Sequence, residues 1–307
     1  MKRLFIIGNG FDLHHNLPTG LNDFRKYMAR HFPEDYRSII RFLEKYFSDE
    51  VAREWNGLET MLSCTRDIEE MLDEAIASSE TDMDRASYWN DIQYNAGVSE
   101  KEFSALMERL DTWIDSISVP EASPDPNIHF VPSDIFLNFN YTDTLQKLYG
   151  IKEKQILYIH GSSTKSKILG HNEPCDEFPL INANLTSEDI EHGLEEDWRI
   201  EEAKEILNRI PAIFFKDSCS IIQKNNAFFE NIRSYDEIVF MGWSLGEQDE
   251  IYMDEIMACV SDKASIKVVG YSPSALQKYE DFFEGRNFFQ HSVSYFLWNE
   301  VEHVFHG

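Results

Sequence analysis

The chain of 307 residues is 42% hydrophobic and 27% charged, enough for one large domain or two smaller ones around a substantial core. Its 28 Lys and Arg against 55 Asp and Glu give a formal charge of −27, which disfavours direct binding to nucleic acid or to an anionic lipid surface. No stretch approaches the roughly 18 apolar residues that cross a bilayer, and the run after Met1-Lys2-Arg3 is too short for a secretion signal, so a cytoplasmic setting is expected.

The four cysteines, Cys64, Cys175, Cys219 and Cys259, include no C-x-x-C pair and suit reduced thiols better than disulfides or structural zinc. In chain order, Leu4-Phe5-Ile6-Ile7 predicts a buried strand closed by the turn Gly8-Asn9-Gly10. From Asn22 to about Ile117 the apolar spacing is helical, as in Leu106, Leu110, Trp113 and Ile114, with a polar loop over residues 78–84. Three prolines, at 120, 124 and 126, mark an irregular connection.

Residues 134–139 predict a second buried strand with a helix from about Thr142, and residues 156–159 a third strand ending at His160-Gly161. Helices are expected over 187–207 and over Cys219–Ile232. A strand at 237–241 closes on Gly242 and leads into a helix over 249–260. The strand 265–270, the helix 275–283 and an alternating strand 292–298 complete the set. Strands separated by helices imply an α/β fold, a mainly parallel sheet with helices on both faces. The helical block is too long for an ordinary crossover and reads as an inserted helical subdomain. Residues 1–26 and 130–307 would then form the sheet domain and residues 27–129 the insertion.

The suggestive polar residues all follow predicted strands. In a parallel sheet those carboxyl ends share one edge, where ligands bind at the switch in strand order. The glycines of Gly8-Asn9-Gly10-Phe11-Asp12 would let backbone N–H groups approach a phosphate, or would simply make a tight strand-to-helix turn. Leu13 stands where G-x-G-x-x-G needs its last glycine, so this is not the common dinucleotide fingerprint.

The segment Leu17 to Arg25, with Pro18, Asp23 and Phe24, resembles the sirtuin G-I-P-D-F-R that follows a G-A-G turn. Asn138-Phe139-Asn140-Tyr141-Thr142-Asp143 is similar to the sirtuin T-Q-N-I-D, and Ile159-His160-Gly161 to its L-H-G. Gly242-Trp243-Ser244-Leu245 is similar to its late G-x-S-L turn. Taken together, G-N-G-F-D-L-x-x-x-L-P-T-G, N-F-N-Y-T-D-T-L, I-H-G and G-x-S-L-x-x-x-D resemble the bacterial abortive-infection family AbiH over about residues 3 to 260. Trp55, Leu58-Glu59 and Phe215-Lys216 also fit that family.

The resemblance implies a Rossmann-like sheet that binds NAD and an antiphage effector that hydrolyses it to nicotinamide and ADP-ribose. NAD is then substrate or ligand, and neither a metal nor a further cofactor is required. By position, Asn140 would orient the nicotinamide ribose and the attacking water, and His160 would act as base at a ribose hydroxyl. Gly8, Asn9, Gly10, Phe11, Asp12, Asp143, Gly161, Gly242, Ser244 and Leu245 would line the nucleotide, with Arg25 on the nicotinamide side. Partners left open are a second copy of the chain or another defence protein.

Departures from the sirtuin pattern bear on this. No zinc-binding cysteine set is present, which argues against protein deacetylation, and Asn9 replaces the alanine of G-A-G. Asp12 would place a carboxylate beside the pyrophosphate unless it points away or serves the ribose. Two alternatives from other classes are a nucleotide sensor without catalysis and a nuclease, the latter lacking clustered carboxylates for Mg²⁺. His14 and His15 read as first-turn residues rather than metal ligands. Glu59, Lys216 and His171-Asn172-Glu173 could serve the site or lie in ordinary structural roles, and the acidic run 188–197 reads as a solvated helix face.

Overall fold

The computed structural model describes residues 1–77, 88–119, 122–172, 198–286, 288 and 291–305. Six strands are formed: β1 (Arg3–Ile7), β2 (Ile135–Asn138), β3 (Ile156–Tyr158), β4 (Glu237–Met241), β5 (Ser265–Gly270) and β6 (Ser292–Leu297). They make one all-parallel sheet in the order β3-β2-β1-β4-β5-β6. This is the order of a doubly wound nucleotide-binding sheet, with the switch between β1 and β4.

Alternate residues of the central strands point to opposite faces, and both sets are largely apolar. Leu4 and Ile6, with Ile238, Phe240, Ile266 and Val268, face one side. There they meet Tyr252, Met253 and Ile256 of the Glu250–Cys259 helix and Tyr279 and Phe282 of the Pro273–Gly285 helix. Phe5 and Ile7, with Val239, Met241 and Val269, face the other side. They pack on Phe11 of the Asn9–His14 helix, Leu145 of the Thr144–Tyr149 helix, and Val301 and Val304 near the C-terminus. Both faces are thereby covered, as an all-parallel sheet requires. At the amino ends, Arg3 forks onto Asp134, with Nε to Oδ1 at 3.0 Å and Nη2 to Oδ2 at 2.7 Å, and both side chains are buried.

The chain divides into two compact units. The sheet unit comprises Met1–Phe24, Asp111–Ile168 and Asp217–Gly307, and the second unit Arg25–Leu110 and Leu169–Lys216. In the second unit, the Pro33–Tyr46 helix buries Ile39, Ile40 and Leu43, and Trp55, Leu58 and Leu62 are inaccessible to solvent. The later segment is tied in by a parallel bridge between His171 and Phe215, with His171 N–H donating to Phe214 O at 2.9 Å and Lys216 N–H to His171 O at 2.7 Å.

Two helical segments differ from the periodicity. The helix expected from Thr142 begins at Thr144, because Thr142 is held by a side-chain contact described below. The segment expected as one helix over Cys219–Ile232 is two, Ser218–Lys224 and Asn226–Asn231. They break at Asn225, whose amide side chain donates to Ile221 O at 2.8 Å and competes with the backbone ladder. The helix expected over 187–207 is described from Trp198 to Leu207, while the expected loop 78–84 and the acidic run 188–197 lie outside the described residues. No helix among the described residues is long and apolar enough to cross a membrane.

Candidate functional site

Because every strand is parallel, the loops after Ile7, Asn138, Tyr158 and Met241 emerge at one edge of the sheet unit. At the switch point the loops after β1 and β4 cross in direct backbone contact. A Cβ at Gly8 would collide with Trp243 Cα, and one at Gly10 would sit 2.8 Å from both Gly242 Cα and its carbonyl oxygen. Gly242, at φ +65°, faces Gly10 and the Phe11 nitrogen in return. The neighbouring loop is therefore sufficient cause for these glycines.

The crossing also engages the donors of the turn. Gly8 N–H donates to Met241 O at 3.1 Å, Gly10 N–H to Gly242 O at 2.7 Å, and Phe11 N–H to Gly8 O at 2.9 Å. Asn9 Oδ1 accepts from Thr19 Oγ1 at 2.6 Å, tying the turn to the segment that follows the first helix. The Phe11 ring lies wholly in the core. Leu245 is buried too, with a left-handed backbone at φ +49° that is costly for a branched side chain, while Ser244 beside it is exposed.

The loop after β2 leans on the glycine turn. Asn140 is buried; its Nδ2 donates to Gly8 O at 3.0 Å, and its own N–H is taken by Asn138 Oδ1 at 3.0 Å. Thr142 Oγ1 donates to Asp12 Oδ2 at 2.6 Å and lies 2.9 Å from Thr144 Oγ1. Asp12 is inaccessible to solvent and points into the protein. Burial pushes its carboxyl up to about 6, against the opposing hydrogen bonds of Thr142, Thr144 and Asn140. Asp143 precedes the Thr144–Tyr149 helix and pairs with Lys147 at 2.9 Å.

His160 follows β3 and is buried beneath aromatic rings. Phe139 meets it edge-on at 5.3 Å and Tyr252 at 5.7 Å, and Trp243 stacks on Phe139 at 4.4 Å. Its Nε2 lies 3.5 Å from Asp249 Oδ1, at the start of the Glu250–Cys259 helix. The following loop returns to it: Gly161 has φ +88°, a Cβ there would strike Ser166 O, and Ile168 N–H donates to His160 O at 3.0 Å. Lys167 anchors that loop on Asp111 at 2.8 Å.

Asn140, Asp12, Asp143, His160, Gly161 and the 242–245 turn thus belong to one edge of the sheet unit. Arg25 belongs to the second unit, where Nη1 lies 3.4 Å from Tyr36 Oη. In that unit Glu59 pairs with the fully buried Lys216 at 3.0 Å. His15 is bonded to Phe11 O at 2.7 Å and Tyr149 Oη at 2.6 Å, and burial holds its ring below the usual histidine range. His14 pairs with Asp125 at 2.7 Å. Residue typing alone passed over Asp249 and Thr142. Asp249 carried a signal as the last letter of G-x-S-L-x-x-x-D, whereas Thr142 carried none beyond its place in the Asn140 loop.

Residues 4–271 match the family described as bacteriophage abortive infection AbiH. Comparison with curated proteins and with solved structures returned no match. With β1 to β5 and the helical block inside the match, the chain belongs to the AbiH family of bacteriophage abortive infection proteins.

Proposed function

We propose that this AbiH protein acts in abortive infection by hydrolysing NAD to nicotinamide and ADP-ribose at the switch-point edge. Water adds to C1′ of the nicotinamide ribose as the C1′–N bond breaks, nicotinamide leaves, and one proton is released. The bond breaks through an oxocarbenium-like centre that a dry pocket lined by fixed dipoles stabilises. Asn140 offers its amide oxygen to hold the water or the ribose, while its N–H groups serve Gly8 O and Asp12. His160 removes a proton from a ribose hydroxyl or the water, and Asp249 orients its ring.

The observation that carries this reading is the pairing of His160 with Asp249. It joins the end of edge strand β3 to the loop beyond the switch, across the ends of β2 and β1, and leaves the ring among aromatics. The test is to challenge cells that express the protein with phage and follow cellular NAD in wild type, Asn140→Ala and His160→Ala. NAD should fall in wild type alone; constant NAD in wild type overturns the proposal.

A nucleotide sensor without catalysis is favoured by a different observation. The Asn140 amide already donates to Gly8 O, a structural role that leaves it fewer groups for catalysis. Recovery of protein carrying intact NAD, with no nicotinamide released, selects that reading.

A further inference from the structure

Two hydrogen bonds run side by side between the same pair of segments. Asn140 Nδ2 reaches Gly8 O, and Thr142 Oγ1 reaches Asp12 Oδ2. Gly8 caps the Asn9–His14 helix and Asp12 stands in its first turn, so the two acceptors lie at the same end of that helix. Asn140 and Thr142 are two residues apart on the loop after β2, one on either side of the bend at Tyr141. The two bonds therefore fix both the position and the direction of the Asn140 loop. Thr144 Oγ1 backs Thr142, and Tyr158 Oη donates to Thr142 O at 3.2 Å.

We propose that Asp12 is the positioning residue of this edge: through Thr142 it locks the Asn140 loop to the glycine turn, and only the locked loop presents Asn140 to a dinucleotide. The proposal rests on the NAD reading for its ligand and on the described contacts for its geometry. Asp12 itself touches no ligand, since its carboxyl is sealed from solvent. Its charge still counts there, because a buried carboxylate repels a pyrophosphate through a medium that screens poorly. The titratable groups facing it are Asp143 of the same loop, paired with Lys147, and the Tyr158 phenol of β3, which burial pushes up to about 12. On its own helix stand His14 and His15.

The experiment measures NAD and ADP-ribose affinity by calorimetry from pH 5 to 7.5 in wild type, Asp12→Asn, Asp12→Ala and Thr142→Val. Wild-type affinity should weaken several-fold as pH rises through about 6, where the carboxyl ionises. Asp12→Asn, which keeps an acceptor for Thr142, should bind with no such step. Asp12→Ala and Thr142→Val should bind about tenfold more weakly at every pH. Hydrogen exchange of the 139–145 amides in the ligand-free protein is the second readout, faster in Asp12→Ala and restored in Asp12→Asn. If wild type binds neither nucleotide, the NAD reading fails while exchange still decides the lock. Wild-type affinity, pH profile and exchange in Asp12→Ala would overturn the proposal.

Discussion

His160 Nε2 lies 3.5 Å from Asp249 Oδ1, although one residue follows the edge strand β3 and the other follows β4 on the far side of the switch. Their meeting requires the Asp249 loop to pass over the ends of β1 and β2. In the proposed reaction, the carboxylate there would hold the ring orientation. In an assay of nicotinamide release, His160→Ala should lower turnover by about a hundredfold or more, and Asp249→Asn by about ten- to a hundredfold. Both variants should keep NAD affinity within about threefold. Full turnover in Asp249→Asn would detach the aspartate from the chemistry.

Stability should respond to Asp12 in a defined direction. The folded-state value, about 6, lies above the ordinary 3.8, so the folded chain holds this proton more tightly than the unfolded one. Below about pH 4 both states are protonated and no penalty exists. The penalty grows between about pH 4 and 6 and is complete above that, at about 3 kcal/mol. Asp12→Asn should match wild type near pH 4 in urea unfolding and exceed it by about 2 to 3 kcal/mol at pH 7. An advantage that is constant with pH would exclude the buried carboxyl as its source.

The crossing of the two glycine loops gives a contrast between similar substitutions. Gly242→Ala combines a left-handed backbone with a Cβ driven into the Phe11 nitrogen, and should cost about 2 to 4 kcal/mol. Gly246→Ala, four residues on, meets nothing within 4 Å and should leave the melting temperature nearly unchanged. Equal melting temperatures for the two would refute the crossing.

At the opposite end of the sheet, Arg3→Ala would strand Asp134, a fully buried carboxylate, and should destabilise by about 3 to 5 kcal/mol. The double change Arg3→Met with Asp134→Leu should recover only part of this. Val131 N–H also ends on Asp134 Oδ2, at 2.7 Å, and would lose its acceptor. Chemical unfolding of both variants checks the ranking.

What could be read before folding was what local periodicity encodes. Leu4-Phe5-Ile6-Ile7 and residues 238–241 are apolar on both faces because helices cover both, and each strand stops where a glycine follows. Contacts between distant segments are not periodic. Nothing near Leu169 or Lys216 announces that the His171–Phe215 bridge draws that stretch into the second unit. The Gly8-Asn9-Gly10 turn suggests a ligand when read alone, but its steric cause sits 234 residues later, at Gly242. The direction of the Asp12 carboxyl, buried against Thr142, is likewise not visible in the sequence. Side-chain direction on a single helical turn follows from the fold and cannot be read from spacing.

The mutual contact of Gly8, Gly10 and Gly242 has one more consequence. The loops after β1 and β4 are stitched to each other, and the Asn140 loop is stitched to the first of them. If the switch point takes a nucleotide as proposed, the nucleotide would meet a floor that is already set, with little chain left to order. Low ordering cost favours quick capture and makes affinity depend on the few side chains left to greet the visitor, Ser244 among them.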